Sequence, residues 1–137
     1  MNRTAVKNLG FCAAAIGVFG FAPSAEAAAP PVRQLVAETY TIDKGNCRNG
    51  YFSVYFNAPL RNVVEFDLEV RTSRGTITKT VHSYQNYVSI TPGCVSKGFV
   101  QDVKRKKLTA TVYAYTTSGA YAGKRSVKIK LIDSYNC

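Results

Sequence analysis

The amino-acid sequence predicts an all-β protein, an antiparallel β-sandwich preceded by an export signal. From residue 35 onward β-branched and aromatic residues dominate, and Gly, Asn, Pro and Ser interrupt them at short intervals. This composition is typical of short strands joined by turns. No window of about 11 or more residues keeps the apolar spacing of an amphipathic helix free of Gly and Pro. In residues 64–71 apolar and charged side chains alternate strictly, so one face of that strand would contact a core and the other water.

Seven strands are expected, at residues 35–42, 51–56, 63–71, 76–84, 87–90, 108–116 and 125–132. The positions expected to face the core are Phe52, Val54 and Phe56 in the second strand, Val64, Phe66, Leu68 and Val70 in the third, Leu108, Ala110, Val112 and Ala114 in the sixth, and Val127, Ile129 and Leu131 in the last. In the last strand Lys128 and Lys130 alternate with the apolar positions and face water.

The segment Ser73-Arg74-Gly75 separates two alternating runs and predicts a hairpin between the third and fourth strands. A two-residue turn at 74–75 would place Asp67 opposite His82. A seven-stranded antiparallel sandwich of about a hundred residues is the immunoglobulin-like architecture. We therefore predict an immunoglobulin-like β-sandwich, with a small OB-like β-barrel as the alternative fold.

The first 27 residues have the pattern of a secretory signal peptide. Arg3 and Lys7 give a basic start, residues 9–21 form an uncharged apolar run, and Ala25-Glu26-Ala27 provides a cleavage site after residue 27. The run is too short to span a bilayer, which takes roughly 20 residues. We expect a signal peptide at 1–27, a flexible lead-in at 28–34, and a single sandwich domain at 35–137. The protein would be secreted or periplasmic, with no transmembrane segment in the mature chain.

Removal of the signal peptide leaves 110 residues with a net charge of +9 and three cysteines. If every strand reverses direction, the loops after the first, third and fifth strands lie at one pole, together with the end of the seventh. Cys47, Cys94 and Cys137 all fall at that pole, and an oxidising compartment favours a disulfide between two of them. Cys47–Cys94 is favoured, while Cys47–Cys137 and Cys94–Cys137 stay eligible. A spare thiol at Cys137 could link a homodimer.

Basic side chains concentrate at the same end of the molecule, which we call the basic pole. Its expected binding residues are Lys44, Arg48, Arg74, Lys97, Lys104, Arg105, Lys106 and Lys107. The last four form the only charge run of the chain, within a connection at 92–107 that is longer than usual for a compact domain. Concentrated cations steer acidic partners, and salt weakens the attraction.

A second surface is expected on the water-facing side of one sheet. Its residues are Glu65, Asp67 and Glu69 in the third strand, Tyr113 and Tyr115 in the sixth, and Lys128 and Lys130 in the last. If the sixth strand lies between the other two, the tyrosines stand between an acidic and a basic column. Such a face suits recognition of proteins or sugars, and the charges could equally pair across strands and stabilise the sheet.

The sequence offers little for catalysis. His82 is the only histidine, and the adjacent Ser83 points to the opposite face of its strand, so the two cannot act as base and nucleophile. No CxxC pair or histidine cluster indicates a metal site, and no Gly-rich loop followed by a helix indicates a phosphate-binding site. We expect no enzyme activity, no metal and no cofactor.

Together these features predict an exported small binding module that uses the basic pole. The expected partner is an acidic protein, an anionic polysaccharide or a membrane surface with anionic lipid headgroups. Two alternatives remain. One is a secreted inhibitor or effector that inserts residues 92–107 into a partner protein, and the other is a structural subunit of a surface assembly that uses edge strands and a free cysteine.

Overall fold

The computed structural model describes residues 29–41 and 47–132. The elements in this part are β1 (Arg33–Tyr40), β2 (Tyr51–Asn57), β3 (Val63–Thr72), β4 (Gly75–His82), β5 (Tyr87–Cys94), α1 (Lys97–Lys104), β6 (Thr109–Thr116), β7 (Tyr121–Lys128) and β8 (Lys130–Ile132). The predicted signal peptide at 1–27, the binding residue Lys44 and the spare Cys137 lie outside the described residues.

The strands form two four-stranded sheets that pack as a sandwich. The first sheet has the order β5-β2-β1-β8, and the second has the order β4-β3-β6-β7. Neighbouring strands are antiparallel except β1 and β8, which run parallel. The prediction of an all-β sandwich is confirmed. Over residues 29–41 and 47–132 the two sheets are not closed on one another, so the alternative of a small barrel is not supported.

The core lies between the sheets and follows the alternation read from the sequence. The fully buried positions of β3 and β6 are Phe66, Leu68, Val70, Ala110, Val112 and Ala114. From the first sheet, the Phe56 ring packs against that of Phe66 with 5.0 Å between the ring centroids. Full burial of each large side chain stabilises the fold by about 1.5–3 kcal/mol. The period-two pattern therefore identified the face that each strand turns inward.

Helix α1 was missed by the sequence analysis, which expected a long connection at 92–107. Its N-cap is Ser96, whose hydroxyl oxygen accepts a hydrogen bond from the Phe99 backbone N–H at 3.1 Å. The helix buries Phe99, Val100 and Val103 against the sandwich. Two turns are too short to be stable alone, so packing of this apolar face sustains the helix.

The single last strand predicted at 125–132 is also wrong, because the chain changes sheets within it. Strand β7 begins at Tyr121 in the second sheet, and β8 pairs with β1 in the first. Between them Ile129 is buried, and its N–H donates to the Leu108 carbonyl at 3.2 Å. Lys128 and Lys130 consequently belong to different sheets and do not form one column.

The β3–β4 hairpin turns at Ser73-Arg74, one residue earlier than predicted. Thr72 holds this turn, since its hydroxyl donates to the Gly75 carbonyl at 2.8 Å and accepts from the Arg74 N–H at 3.1 Å. The register shifts by two residues, and Glu65 rather than Asp67 pairs with His82. The observed register sets apolar residues of β3 opposite apolar residues of β4 at two positions, which favours it energetically.

Both edge strands of the second sheet carry a cation on their inward face. Lys79 of β4 pairs with Leu68, and Arg125 of β7 pairs with Val112. Leu68 and Val112 are fully buried, while Lys79 and Arg125 are exposed at the rim of the sandwich. An inward-pointing charge on an edge strand prevents another strand from adding there.

Candidate functional site

The disulfide predicted between Cys47 and Cys94 is confirmed and anchors the basic pole. The two Cα atoms are 4.9 Å apart, and Cys47 is buried. The bond joins the β1–β2 connection to the end of β5. Beside it the Val95 N–H donates to the Gly50 carbonyl at 3.0 Å.

Helix α1 covers the same end of the sandwich. The Phe99 ring packs on the Phe52 ring with 5.2 Å between centroids. Val100 lies so close to Gly50 that a Cβ there would be 3.0 Å from Val100 Cγ2, and 3.1 Å from the Tyr40 carbonyl oxygen. A side chain at position 50 would therefore push the helix away. The helix and the disulfide form one rigid support for the charged residues around them.

The β3–β4 turn reaches the start of the helix. Ser73 Oγ donates to Asp102 Oδ2 at 3.2 Å. The guanidinium of Arg74 lies over Gly98, where a Cβ would be 2.9 Å from Arg74 Cζ. The predicted site residue Arg74 is thus brought to α1, beside Lys97 at the first position of the helix.

The predicted charge run ends the helix. Lys104 is the last helical residue and Arg105 is the C-cap. The next two backbone N–H groups donate back into the helix, Lys106 to the Val103 carbonyl at 2.9 Å and Lys107 to the Asp102 carbonyl at 3.0 Å. This is a Schellman motif, in which the first residue beyond the C-cap is left-handed and usually Gly. Here it is Lys106, at φ 58°.

A groove opens between the end of α1 and the β7–β8 crossing, and we call it the lysine groove. Its volume is about 560 Å³. Four lysines line its rim, namely Lys104, Lys106, Lys128 and Lys130. Its floor is aliphatic: Val103 and Ile129 in it are buried, and Leu131 and Ile132 are partly exposed. Sequence reasoning assigned these lysines to two separate surfaces, and the structure brings them together at one site.

The cations of the basic pole are not neutralised within the described part of the chain. Its two ion pairs, Arg71–Glu69 at 3.5 Å and His82–Glu65 at 3.1 Å, both lie on the outer face of the second sheet. Arg48, Lys97 and the run 104–107 are all exposed. Within the described residues, these cations therefore have no ion-pair partner.

The second predicted surface is present in altered form on the outer face of the second sheet. Strand β6 lies between β3 and β7, as required. Tyr113 donates to Glu69 at 3.3 Å, and Lys124 rather than Lys130 stands over its ring, at 5.7 Å from the centroid. Loss of solvation and then the Asp67 carboxylate raise the pKa of Tyr115. Tyr113 thus contacts both Glu69 and Lys124, which stabilises the sheet.

A third cluster, on the outer face of the first sheet, was missed by sequence reasoning. Glu38 Oε1 accepts hydrogen bonds from the hydroxyl groups of Tyr40, at 2.7 Å, and of Tyr55. Burial, followed by the hydrogen bond to Glu38, raises the pKa of Tyr55. The Tyr87 ring lies 6.2 Å from that of Tyr55. Glu38, Tyr40 and Tyr55 come from two strands whose pairing the sequence did not reveal, so no pattern in the sequence indicated this cluster.

Among residues 29–41 and 47–132, no helix has the length and apolar character that crossing a bilayer demands. No group of three potential metal-ligating side chains is present in the same residues. Comparisons with protein-family models, curated proteins and solved structures find no match to this chain. Function is therefore argued from geometry alone.

Proposed function

We propose that this protein is an exported binding module whose basic pole contacts an anionic partner. The observation that carries the proposal is the concentration of cations at one end of the described domain without ion-pair partners there. Such a surface attracts polyanions and acidic proteins over a distance of about 8–10 Å at physiological salt. An acidic protein, an anionic polysaccharide and a membrane surface all meet this description.

Rigid support favours binding at this pole. The disulfide fixes the ends of β5 and of the β1–β2 connection, and α1 is held by its buried Phe99 and Val103. A preformed surface loses little conformational entropy when a partner binds. Since α1 occupies half of residues 92–107 and packs on the core, we propose contact with a fixed surface rather than insertion of this segment into a partner.

Export to the periplasm or medium belongs to the same proposal. The signal peptide pattern at 1–27 supports it. The Cys47–Cys94 disulfide adds support, because disulfides persist mainly in oxidising compartments.

We further propose that the sandwich is of the immunoglobulin-like type. In that architecture the third, sixth and seventh strands are neighbours in one sheet, and the first, second and fifth are neighbours in the other. The orders β3-β6-β7 and β5-β2-β1 follow this arrangement.

Heparin chromatography over a salt gradient tests the proposed function. We expect the protein to elute at high salt, and the triple variant Lys104→Ser, Arg105→Ser, Lys107→Ser to elute much earlier. The matched control removes three cations remote from the pole, with Arg33→Ser, Arg61→Ser and Lys124→Ser. Equal loss of retention in both triple variants would show that net charge, rather than the basic pole, governs binding.

A further inference from the structure

The lysine groove has the chemistry of a site for a charged hydrocarbon. Its floor consists of the buried Val103 and Ile129 and the partly exposed Leu131 and Ile132, none of which carries a side-chain hydrogen-bonding group. Among residues 29–41 and 47–132, the polar side chains that line it are those of four lysines. A sugar or a peptide placed there would leave polar groups facing aliphatic carbon, which is unfavourable. A hydrocarbon chain would not.

We infer that the lysine groove binds a single-chain anionic amphiphile, a long-chain carboxylate of the fatty-acid type. The chain lies on the aliphatic floor, and the carboxylate is held by ammonium groups of the rim. This inference rests on the proposed function, since it names the ligand class that the basic pole takes.

The rim is arranged for a negative headgroup. None of the four lysines forms an ion pair within the described residues. The carboxylate nearest in register is Glu38, which pairs with Lys130 across β1 and β8. That carboxylate accepts hydrogen bonds from Tyr40 and Tyr55 instead. Lysine also suits the rim because its aliphatic stem covers apolar surface while its ammonium stays in water.

Backbone strain at Lys106 points to the same site. The left-handed position after the C-cap is favourable for glycine and costly for other residues. A lysine is held there, and its side chain lines the groove. Strain of this kind is found where a side chain has a functional role.

The concave shape favours a free amphiphile over insertion into a bilayer. Docking on a membrane uses large apolar side chains that protrude. The exposed ones in the described part are Tyr84, Tyr87 and Tyr121. They stand beside the β4–β5 and β6–β7 connections, at the end opposite the groove. A groove without protruding apolar neighbours receives a chain and does not insert into a membrane.

Titration with monomeric dodecanoate tests the inference, with the protein produced from its full coding sequence and backbone amide signals followed by NMR. We expect saturable shifts centred on Ile129 and Leu131, and much weaker binding of the neutral alcohol dodecanol. Decanoate should bind up to about 15-fold more weakly than dodecanoate, from about 0.8 kcal/mol per buried methylene.

A pair of double variants separates the groove from the general charge of the pole. Lys104→Gln with Lys106→Gln removes two rim lysines, and we expect at least tenfold weaker binding of dodecanoate. Arg105→Gln with Lys107→Gln removes the same charge from the same run outside the groove, and the affinity should fall less than threefold. Heparin retention should fall in both.

Three results would overturn the inference: equal loss in both double variants, no chain-length dependence, or shifts from an acidic peptide at the same amides with none from dodecanoate. If heparin retention still depends on the basic pole while dodecanoate fails to bind, the ligand assignment is wrong and the proposed function stands. If heparin retention fails as well, both are wrong.

Discussion

Lys106 is the residue at which stability and binding should oppose each other. It occupies the left-handed position that closes α1, at φ 58°. A side chain with a Cβ costs roughly 1–2 kcal/mol in this conformation, and glycine avoids most of that cost. Part of the gain is lost, because glycine makes the unfolded chain more flexible. We therefore expect Lys106→Gly to be more stable than Lys106→Ala by about 1 kcal/mol.

The comparison of these two variants isolates the backbone effect. Both remove the same ammonium group, so any relief of charge repulsion at the basic pole is common to both and cancels. Both keep the two helix-closing hydrogen bonds, which the Lys106 and Lys107 backbone N–H groups donate. Urea denaturation measures the difference, with a shift in midpoint of roughly 0.5–1 M for about 1 kcal/mol.

The same pair of variants tests why a lysine stands at this position. Dodecanoate affinity should fall equally in Lys106→Gly and Lys106→Ala, because both lose the rim ammonium. Lys106→Gly would then be more stable than Lys106→Ala without binding dodecanoate more tightly. This result is expected where a strained residue is kept for its function rather than for stability. Equal urea midpoints for the two variants would refute the claim that Lys106 is strained, and unchanged dodecanoate affinity would refute its role in the groove.

Two further predictions concern the disulfide and the edge strands of the second sheet. Replacing Cys47 and Cys94 by Ala should destabilise the protein by roughly 4 kcal/mol in the chain-entropy model, since the bond spans a sequence separation of 47 residues; an unchanged urea midpoint would contradict this. Replacing Lys79 and Arg125 by Val should allow the edge strands of the second sheet to pair with another molecule. Sedimentation should then detect oligomers. The control variant Thr78→Val, on the outer face, should show none.

Much of the fold was predictable because alternation reports burial directly. Residues 64–71 follow the predicted pattern, with Phe66, Leu68 and Val70 fully buried. The pairing of Cys47 with Cys94 was also within reach, since counting strand reversals places both at one end. These inferences need only the period of a strand and its direction.

The change of sheet and helix α1 were missed for two different physical reasons. The two sheets of a sandwich share one core, so a residue that faces inward does so whichever sheet holds it. Val127, Ile129 and Leu131 keep the period of two across the crossing from β7 to β8, and no break marks the change of sheet. Helix α1 escaped because eight residues are too few for a periodic signal, and its cap and buried Phe99 act through tertiary packing.

The change of sheet also explains how a groove arises at this point of the fold. Where a strand leaves one sheet and joins the other, the side of the sandwich between the two edges is open, and at this crossing Leu131 and Ile132 stay partly exposed while Ile129 is buried. A loop or a helix covers most openings of this kind, and α1 covers the end of this one. Along the side of this opening, the described residues that cover the apolar surface are lysines, which do so with their aliphatic stems. Lysine stems cover apolar surface while repelling one another at their tips, and an anionic chain that fills the opening would remove both the exposed hydrocarbon and the repulsion. A long-chain carboxylate is therefore the one ligand chemistry that removes both the exposed apolar surface and the repulsion between the lysines.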